Sequence, residues 1–178
     1  MQYSWRITKY NPSNRDRNGR YLIEEWTSVS DIGNVYHGRE LTIHEYLKTE
    51  EQYVSAIEMI MKDLQIQQLQ VINLERHDLN FHFDKHRSIY TAEMVALFHN
   101  LLEGDIVSGE NLRNLCKLIL REKLWCKLTS DKKRFVHFGF DYYMYIGCSV
   151  NCSDTIKEII GKGLFAELLK SPYLDDEE

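Results

Sequence analysis

The chain has 178 residues, of which 43% are hydrophobic and 28% are charged, and its formal net charge is −5 at pH 7. This length and composition predict a single globular domain and exclude an intrinsically disordered chain. Nucleic-acid-binding domains usually carry a basic surface, so the acidic balance argues against a nucleic-acid partner. We therefore predict one domain over residues 1–178, with an acidic tail at residues 174–178 that frays.

The first residues, the apolar runs and the cysteines indicate the compartment of the protein and whether it associates with a membrane. The opening MQYSWRITKY lacks the basic and apolar regions of a signal peptide. No run of about 18 apolar residues occurs, so we expect no membrane partner. Without an export signal, the four cysteines are expected to be reduced thiols, and we predict a cytoplasmic protein. Cys116, on a helix stripe, and Cys126, in a strand, are predicted to be structural.

The first forty residues predict two strands and a long loop. Residues 3–10 alternate between apolar and polar side chains, which is typical of a strand. NPSNRDRNG follows with turn-forming residues, and residues 21–26 are predicted to return as a second strand. Residues 27–40 contain two glycines, and their apolar residues do not recur with a helix or strand period, which indicates a long loop. Loops of this length are often functional.

A long helix is predicted from Thr42 to about residue 64. Thr42 and Glu45 have capping-box spacing, in which each side chain accepts a hydrogen bond from a free backbone N–H. Glu50 falls in the apolar stripe of this helix. A buried carboxylate is costly unless it is paired, and such residues are candidate acids or bases. The alternative is that Glu50 reaches solvent or bonds Tyr46 or Tyr53.

The second half of the chain predicts three helices and at least three strands. A strand over 69–75 is followed by a helix over 91–103 and another capped by Ser108. LWCKL, TSDKK and RFVHFGFDYYMYIG then predict a β-hairpin, and a last helix is expected from Ser153 through Leu168. The order β(β)αβ(β)ααββα lacks strict βα alternation. It favours a two-layer α+β fold, with an antiparallel or mixed sheet packed against about four helices.

Two polar faces raise the possibility of catalysis. In the stretch HDLNFHFDKH (residues 77–86), an extended chain would place His82, Asp84 and His86 on one face. These are zinc-ligand types, but positions i and i+4 of a strand lie about 13 Å apart, so one ion needs ligands from a second strand. The strand after residue 134 would supply His137 and Asp141 on one face, if the two strands pair.

An enzyme hypothesis follows from these faces. A metal-assisted hydrolase or phosphoesterase would use a divalent metal ion and a site on the sheet with five candidates, which are His82, Asp84, His86, His137 and Asp141. Glu50 is a sixth catalytic candidate, as a separate acid or base on the long helix. The alternative is that both faces are structural. The polar face of residues 77–86 would then be exposed to solvent, and the strand after residue 134 would complete the core.

A binding hypothesis is preferred because the common hydrolase and deaminase motifs are absent, and it needs no cofactor. An acidic domain rich in tyrosine and tryptophan suits a protein partner, in particular a basic one that it neutralises or regulates. Immunity proteins that act on nucleases offer an analogy. The predicted contact surface comprises Glu24, Glu25, Trp26 and Asp31, with Arg15 and Arg17 in the preceding turn suited to anionic groups. The oligomeric state stays open.

Overall fold

The computed structural model describes residues 3–77, 86–131 and 133–174. Within these ranges, strands and four α-helices form the predicted α+β fold. The first part contains β1 (Tyr3–Thr8), β2 (Val35–Tyr36), β3 (Arg39–Glu40), α1 (Ile43–Asp63) and β4 (Leu69–Arg76). The second part contains α2 (Ala92–Asn100), β5 (Ile106–Val107), α3 (Gly109–Leu120), β6 (Leu124–Asp131), β7 (Arg134–Phe138), β8 (Met144–Cys148), α4 (Ser153–Gly161) and β9 (Phe165–Leu168).

Seven strands form one antiparallel sheet in the order β5-β4-β6-β7-β8-β1-β9, while β2 and β3 form a separate hairpin in the predicted long loop. The register aligns Val71, Leu128, Val136 and Ile146 across four neighbouring strands. Directly paired residues share a sheet face, so this row faces the helices. All four helices contribute side chains to the same core.

Helix α1 begins where the sequence predicts. The Thr42 hydroxyl accepts from the Glu45 backbone N–H at 3.1 Å, and the Glu45 carboxylate accepts from the Thr42 N–H at 3.2 Å. The capping box is therefore confirmed. The four cysteines are free thiols and all are buried, which confirms the core positions of Cys116 and Cys126.

The opposite face of the sheet is covered by the segment that follows β9. Phe135 and Tyr145 lie on this face and are buried without belonging to the main core. Ser171 contacts the sheet through its backbone N–H, which donates to the Ser4 hydroxyl at 3.1 Å. Gly147 is required here, because a Cβ at this position would overlap the Phe135 ring.

Three predicted elements are wrong in ways that matter for the site. Residues 21–26 form no strand beyond a single bridge between Arg15 and Tyr21. The last helix ends at Gly161; Gly163, at φ +105°, allows a reversal, and the following residues pair with β1 as β9. The predicted long strand from residue 134 is split into β7 and β8 by a turn at residues 139–143.

Candidate functional site

A cleft of about 600 Å³ opens where α3 ends, β6 begins and the β7–β8 turn approaches β4. We call it the acidic cleft, and define it by its aromatic and acidic lining residues. The aromatic ones are Trp125, Phe138, Phe140, Tyr142, Tyr143 and Tyr173, and the acidic ones are Glu75, Glu122 and Asp141. Among the described residues that line it, none is a lysine or an arginine.

The β7–β8 turn forms one rim of the acidic cleft. The Gly139 N–H donates to the Tyr143 carbonyl at 2.7 Å, and the Tyr143 N–H donates to the Phe140 carbonyl at 3.1 Å. The two central residues, Asp141 and Tyr142, have φ of 54° and 63°. Turns of this kind usually carry Asn-Gly, because side chains with a Cβ clash at positive φ at a cost of about 1–2 kcal/mol per residue.

The side chain of Tyr142 holds this strained turn in place. Its hydroxyl donates to the Tyr46 hydroxyl at 2.6 Å, while its carbonyl accepts from the Tyr53 hydroxyl at 2.7 Å. Its ring also packs edge-on against Trp26, with ring centroids 5.0 Å apart. Backbone strain persists where surrounding contacts over-determine it, so these contacts fix the turn. The turn leaves the side chain of Phe140 85% exposed at the cleft rim.

The inner wall of the acidic cleft is also fixed by hydrogen bonding. The Trp125 indole N–H donates to the Phe138 carbonyl at 2.7 Å. The ring of Tyr173 lies beside the indole, with centroids 5.9 Å apart. Because the indole N–H of Trp125 is already satisfied, this wall can contact apolar or cationic groups without losing that hydrogen bond.

The three carboxylates of the acidic cleft are exposed and largely free of internal bonds. Glu122 accepts a hydrogen bond from the Ser28 hydroxyl at 3.2 Å. Within the described part of the chain, Glu75 and Asp141 form neither an ion pair nor a side-chain hydrogen bond. His77 is exposed at the same cleft. Three carboxylates with no lysine or arginine among the described lining residues give this cleft a negative potential that attracts cations.

Side chains of the metal-ligand type are dispersed in the described structure. In residues 3–77, 86–131 and 133–174, no group of three or more His, Cys, Asp or Glu residues is arranged to hold a metal ion. His82 and Asp84, two of the predicted candidates, lie outside the described residues. The divalent-metal alternative therefore stays a prediction.

Glu50 is buried, with 1% of its surface exposed, and it is paired. The Arg121 Nε and Nη2 atoms each donate to one of its carboxylate oxygens at 2.6 Å. Arg121 also donates to the Ile89 carbonyl at 2.5 Å and lies 5.0 Å from the centroid of the Tyr90 ring. Burial raises the pKa of Glu50, while the hydrogen bonds and charge of Arg121 oppose that shift. The pair connects α1 to the end of α3. A catalytic role for Glu50 stays a prediction.

Trp26 and Glu25, predicted as contact residues, surround a lysine of the same chain. The Lys9 ammonium lies 4.1 Å from the centroid of the Trp26 ring and 4.2 Å from that of Tyr10. It donates to the Glu25 carboxylate at 3.0 Å. Burial lowers the pKa of Lys9, and the charge of Glu25 opposes the shift. Trp26 and Glu25 therefore already contact a cation of their own chain, the Lys9 ammonium.

Of the other predicted contact residues, Asp31 is hydrogen-bonded to the backbone, whereas Glu24 and Arg17 are exposed to solvent. Asp31 accepts from the backbone N–H groups of Thr27 and Ser28 at 2.8 and 3.1 Å, and so caps a 3₁₀ turn.

Arg15 joins the N-terminal turn to the β8 end of the hairpin. Its Nη1 donates to the Tyr143 hydroxyl at 2.9 Å, and its side chain is 7% exposed. Its Nε and Nη2 atoms are buried without a hydrogen bond, and the nearest carboxylate, that of Glu167, lies 3.9 Å from Nε.

The histidine and aspartate candidates lie in different parts of the described structure. His137 is buried on β7, stacked on Phe135 with ring centroids 4.2 Å apart, and its Nδ1 lies 2.9 Å from the Ser171 hydroxyl. Asp141 instead occupies the exposed turn at the cleft. His86 precedes the 3₁₀ turn Arg87–Ile89. Their convergence with His82 and Asp84 stays a hypothesis.

Most residues of the acidic cleft were not singled out by sequence patterns. Glu75 comes from β4, Glu122 from the residue after the α3 C-cap, and Trp125 from β6. Phe140 is placed by a turn that carries no turn-type residue pair. Among the described residues, Asp141 is the candidate that the prediction and the cleft share.

Comparison with known proteins gave no relative: no protein-family model, curated protein or solved structure matches the chain. In the described residues, every helix is too short or too polar to cross a bilayer. The acidic cleft is therefore the feature from which a function can be argued.

Proposed function

We propose that the protein is a non-catalytic binding module that uses the acidic cleft to bind a basic region of a protein partner. The observation that carries this proposal is one cleft in which three exposed carboxylates adjoin aromatic side chains with no lysine or arginine among the described lining residues. Electrostatic complementarity of this kind steers association and suppresses acidic partners.

Phe140 supplies the second component of a binding surface. Energetic centres of protein interfaces are enriched in aromatic residues that enter pockets of the partner. Phe140 is exposed at the rim, and the turn that presents it is fixed by Tyr142. A fixed turn loses little conformational freedom on binding, which favours affinity.

Neutralisation or regulation is the mode of action that fits such a module. By covering basic residues on a partner, an acidic domain can block a surface that the partner uses to contact an anion such as a nucleic acid. The analogy is to immunity proteins that block nucleases. A cytoplasmic location belongs to the same proposal.

The test compares two charge-neutralised triple variants as affinity baits. The cleft variant carries Glu75→Gln, Glu122→Gln and Asp141→Asn. The control carries Glu40→Gln, Glu158→Gln and Asp154→Asn, three exposed acids away from the cleft. Both triples remove the same number and types of carboxylates, so they shift the net charge equally.

We expect the unaltered protein and the control triple to capture the same basic protein, and the cleft triple to lose it. Captured protein is then purified and its affinity measured by calorimetry, and binding should weaken as salt rises from about 50 to about 500 mM because exposed charges are screened. Equal capture by both triples would contradict the proposal, as would an acidic partner held without salt dependence.

A further inference from the structure

The fold already binds its own cations with a repeated combination of an aromatic ring and a carboxylate. Lys9 lies over the rings of Tyr10 and Trp26 and pairs with Glu25 at 3.0 Å. An aromatic face attracts a cation through its quadrupole, and a carboxylate adds a direct charge pair.

Arg121 shows the same combination in the core. Its guanidinium lies 5.0 Å from the centroid of the Tyr90 ring and donates two hydrogen bonds to Glu50. In both cases the ring and the carboxylate come from the same fold as the cation. The two sites show which surroundings this chain gives to a positive side chain.

The acidic cleft contains the same two components on an open surface. Its rings include Trp125, Phe140 and Tyr173, and its carboxylates are Glu75, Glu122 and Asp141. We propose that the acidic cleft binds one arginine side chain of the partner, with the guanidinium between the aromatic wall and the carboxylates. This proposal rests on the proposed function and names the group that the partner inserts.

Arginine fits this cleft better than lysine for two physical reasons. A guanidinium is flat and weakly hydrated, so it stacks on an indole or phenyl ring with a small loss of hydration. Its five N–H donors point outward in one plane, which suits carboxylates contributed by separate elements such as β4, the end of α3 and the β7–β8 turn. An ammonium is a compact, strongly hydrated charge that gains less from such a wall.

The test uses a blocked amino acid rather than the unidentified partner. The full chain, labelled with ¹⁵N, is titrated with Nα-acetyl-arginine methylamide, and the three indole N–H resonances are followed by NMR. We expect the Trp125 resonance to shift saturably, while those of Trp5 and Trp26 stay in place because neither residue lines the cleft. The citrulline analogue, which has the same shape without charge, should give no saturable shift.

Variants then separate the two components of the cleft. Phe140→Ala and Asp141→Asn should each weaken binding of the arginine analogue by roughly two- to fivefold, the range for an exposed cation–π contact or ion pair. The matched controls are Leu22→Ala, at another exposed apolar residue, and Asp154→Asn, which should leave the affinity unchanged.

The lysine analogue, Nα-acetyl-lysine methylamide, is titrated in the same way. The arginine assignment would be overturned by equal binding of the citrulline analogue, by tighter binding of the lysine analogue, or by affinities that do not change in either cleft variant. Failure of the analogue to bind, with capture of a basic protein still dependent on the cleft carboxylates, would overturn this inference alone. Binding of the analogue without capture of a basic protein would instead contradict the proposed function.

Discussion

Carboxylates occur in opposite settings in two regions of this molecule. In the core, Glu50 is enclosed between α1 and α3 and both of its oxygens accept hydrogen bonds from Arg121. At the acidic cleft, Glu75 and Asp141 are exposed and, among the described residues, have no ion-pair partner. The charge of Glu50 is paired inside the protein, whereas the cleft carboxylates can form an ion pair with another molecule.

The two regions differ in how much free energy of unfolding the protein loses when one charge is removed. A buried pair that loses one member leaves an uncompensated charge in a medium of low polarity, which costs several kcal/mol. An exposed carboxylate is solvated with or without a partner, so its removal changes stability little. Tyr142 connects the two regions, because its hydroxyl bonds Tyr46 in the core while its backbone forms the turn at the cleft.

Arg121→Met should show the largest effect on stability. It leaves Glu50 buried without its partner, and we expect a loss of about 3–5 kcal/mol in the free energy of unfolding, measured by urea denaturation. The double variant Glu50→Leu with Arg121→Met removes both charges and should recover most of that loss. A double variant as unstable as the single one would show that the pair stabilises the fold beyond the cost of an unpaired charge.

At alkaline pH, each buried tyrosine around Tyr142 should contribute a smaller loss of stability than the unpaired Glu50 does. Burial raises the pKa of Tyr90 to about 12 and holds the pKa values of Tyr46, Tyr53 and Tyr142 well above their usual range. A pKa that is higher in the folded state contributes stability that is complete below about pH 10 and is lost as pH rises, because the unfolded tyrosines ionise first.

The expected slope of the free energy of unfolding therefore approaches about 1.4 kcal/mol per pH unit for each buried tyrosine above pH 10. Urea denaturation from about pH 8 to about pH 11 measures it. Tyr142→Phe removes one titrating group, so its slope should be lower by about that amount, although the lost hydroxyl costs about 1 kcal/mol at neutral pH. An unchanged slope would indicate that Tyr142 ionises as readily in the folded protein as in the unfolded chain.

Asp141→Asn should have the smallest effect, within about 0.5 kcal/mol of the unaltered protein. The carboxylate is exposed, and asparagine tolerates the positive φ of this turn better than most residues do. The matched comparison is Glu50→Gln, which also replaces a carboxylate by an amide but does so inside the core. It should lower the free energy of unfolding several times more than Asp141→Asn does. A large loss for Asp141→Asn, again measured by urea denaturation, would contradict the separation of the two regions.

Local signals explain the parts of the fold that sequence predicted. The Thr42–Glu45 capping box, the apolar stripe of α1 and the strand at residues 69–76 depend on neighbouring residues, and the structure contains all three. The buried position of Glu50 was also predictable from the stripe, and so was its need for a partner. The identity of that partner was not, because Arg121 is brought to Glu50 by the packing of α3 on α1.

The acidic cleft could not be predicted, because long-range contacts create it. Phe140, Tyr142 and Tyr143 are strong β-forming residues. The turn is held because Tyr142 is bound by Tyr46 and Tyr53. Likewise, Phe165–Leu168 continues a helical pattern, yet pairing with β1 draws it into the sheet. Each of these outcomes depends on a partner distant in sequence.

The placement of β1 between β8 and β9 has a consequence for biosynthesis. Arg6 and Glu167 bond across this end of the sheet although they are 161 positions apart in the chain. A ribosome makes β1 long before β8 and β9, so β1 has neither neighbour until β8 has been made and lacks the second until β9 follows. A nascent chain that stalls before β9 therefore leaves an open strand edge, and such edges recruit chaperones or associate with other chains.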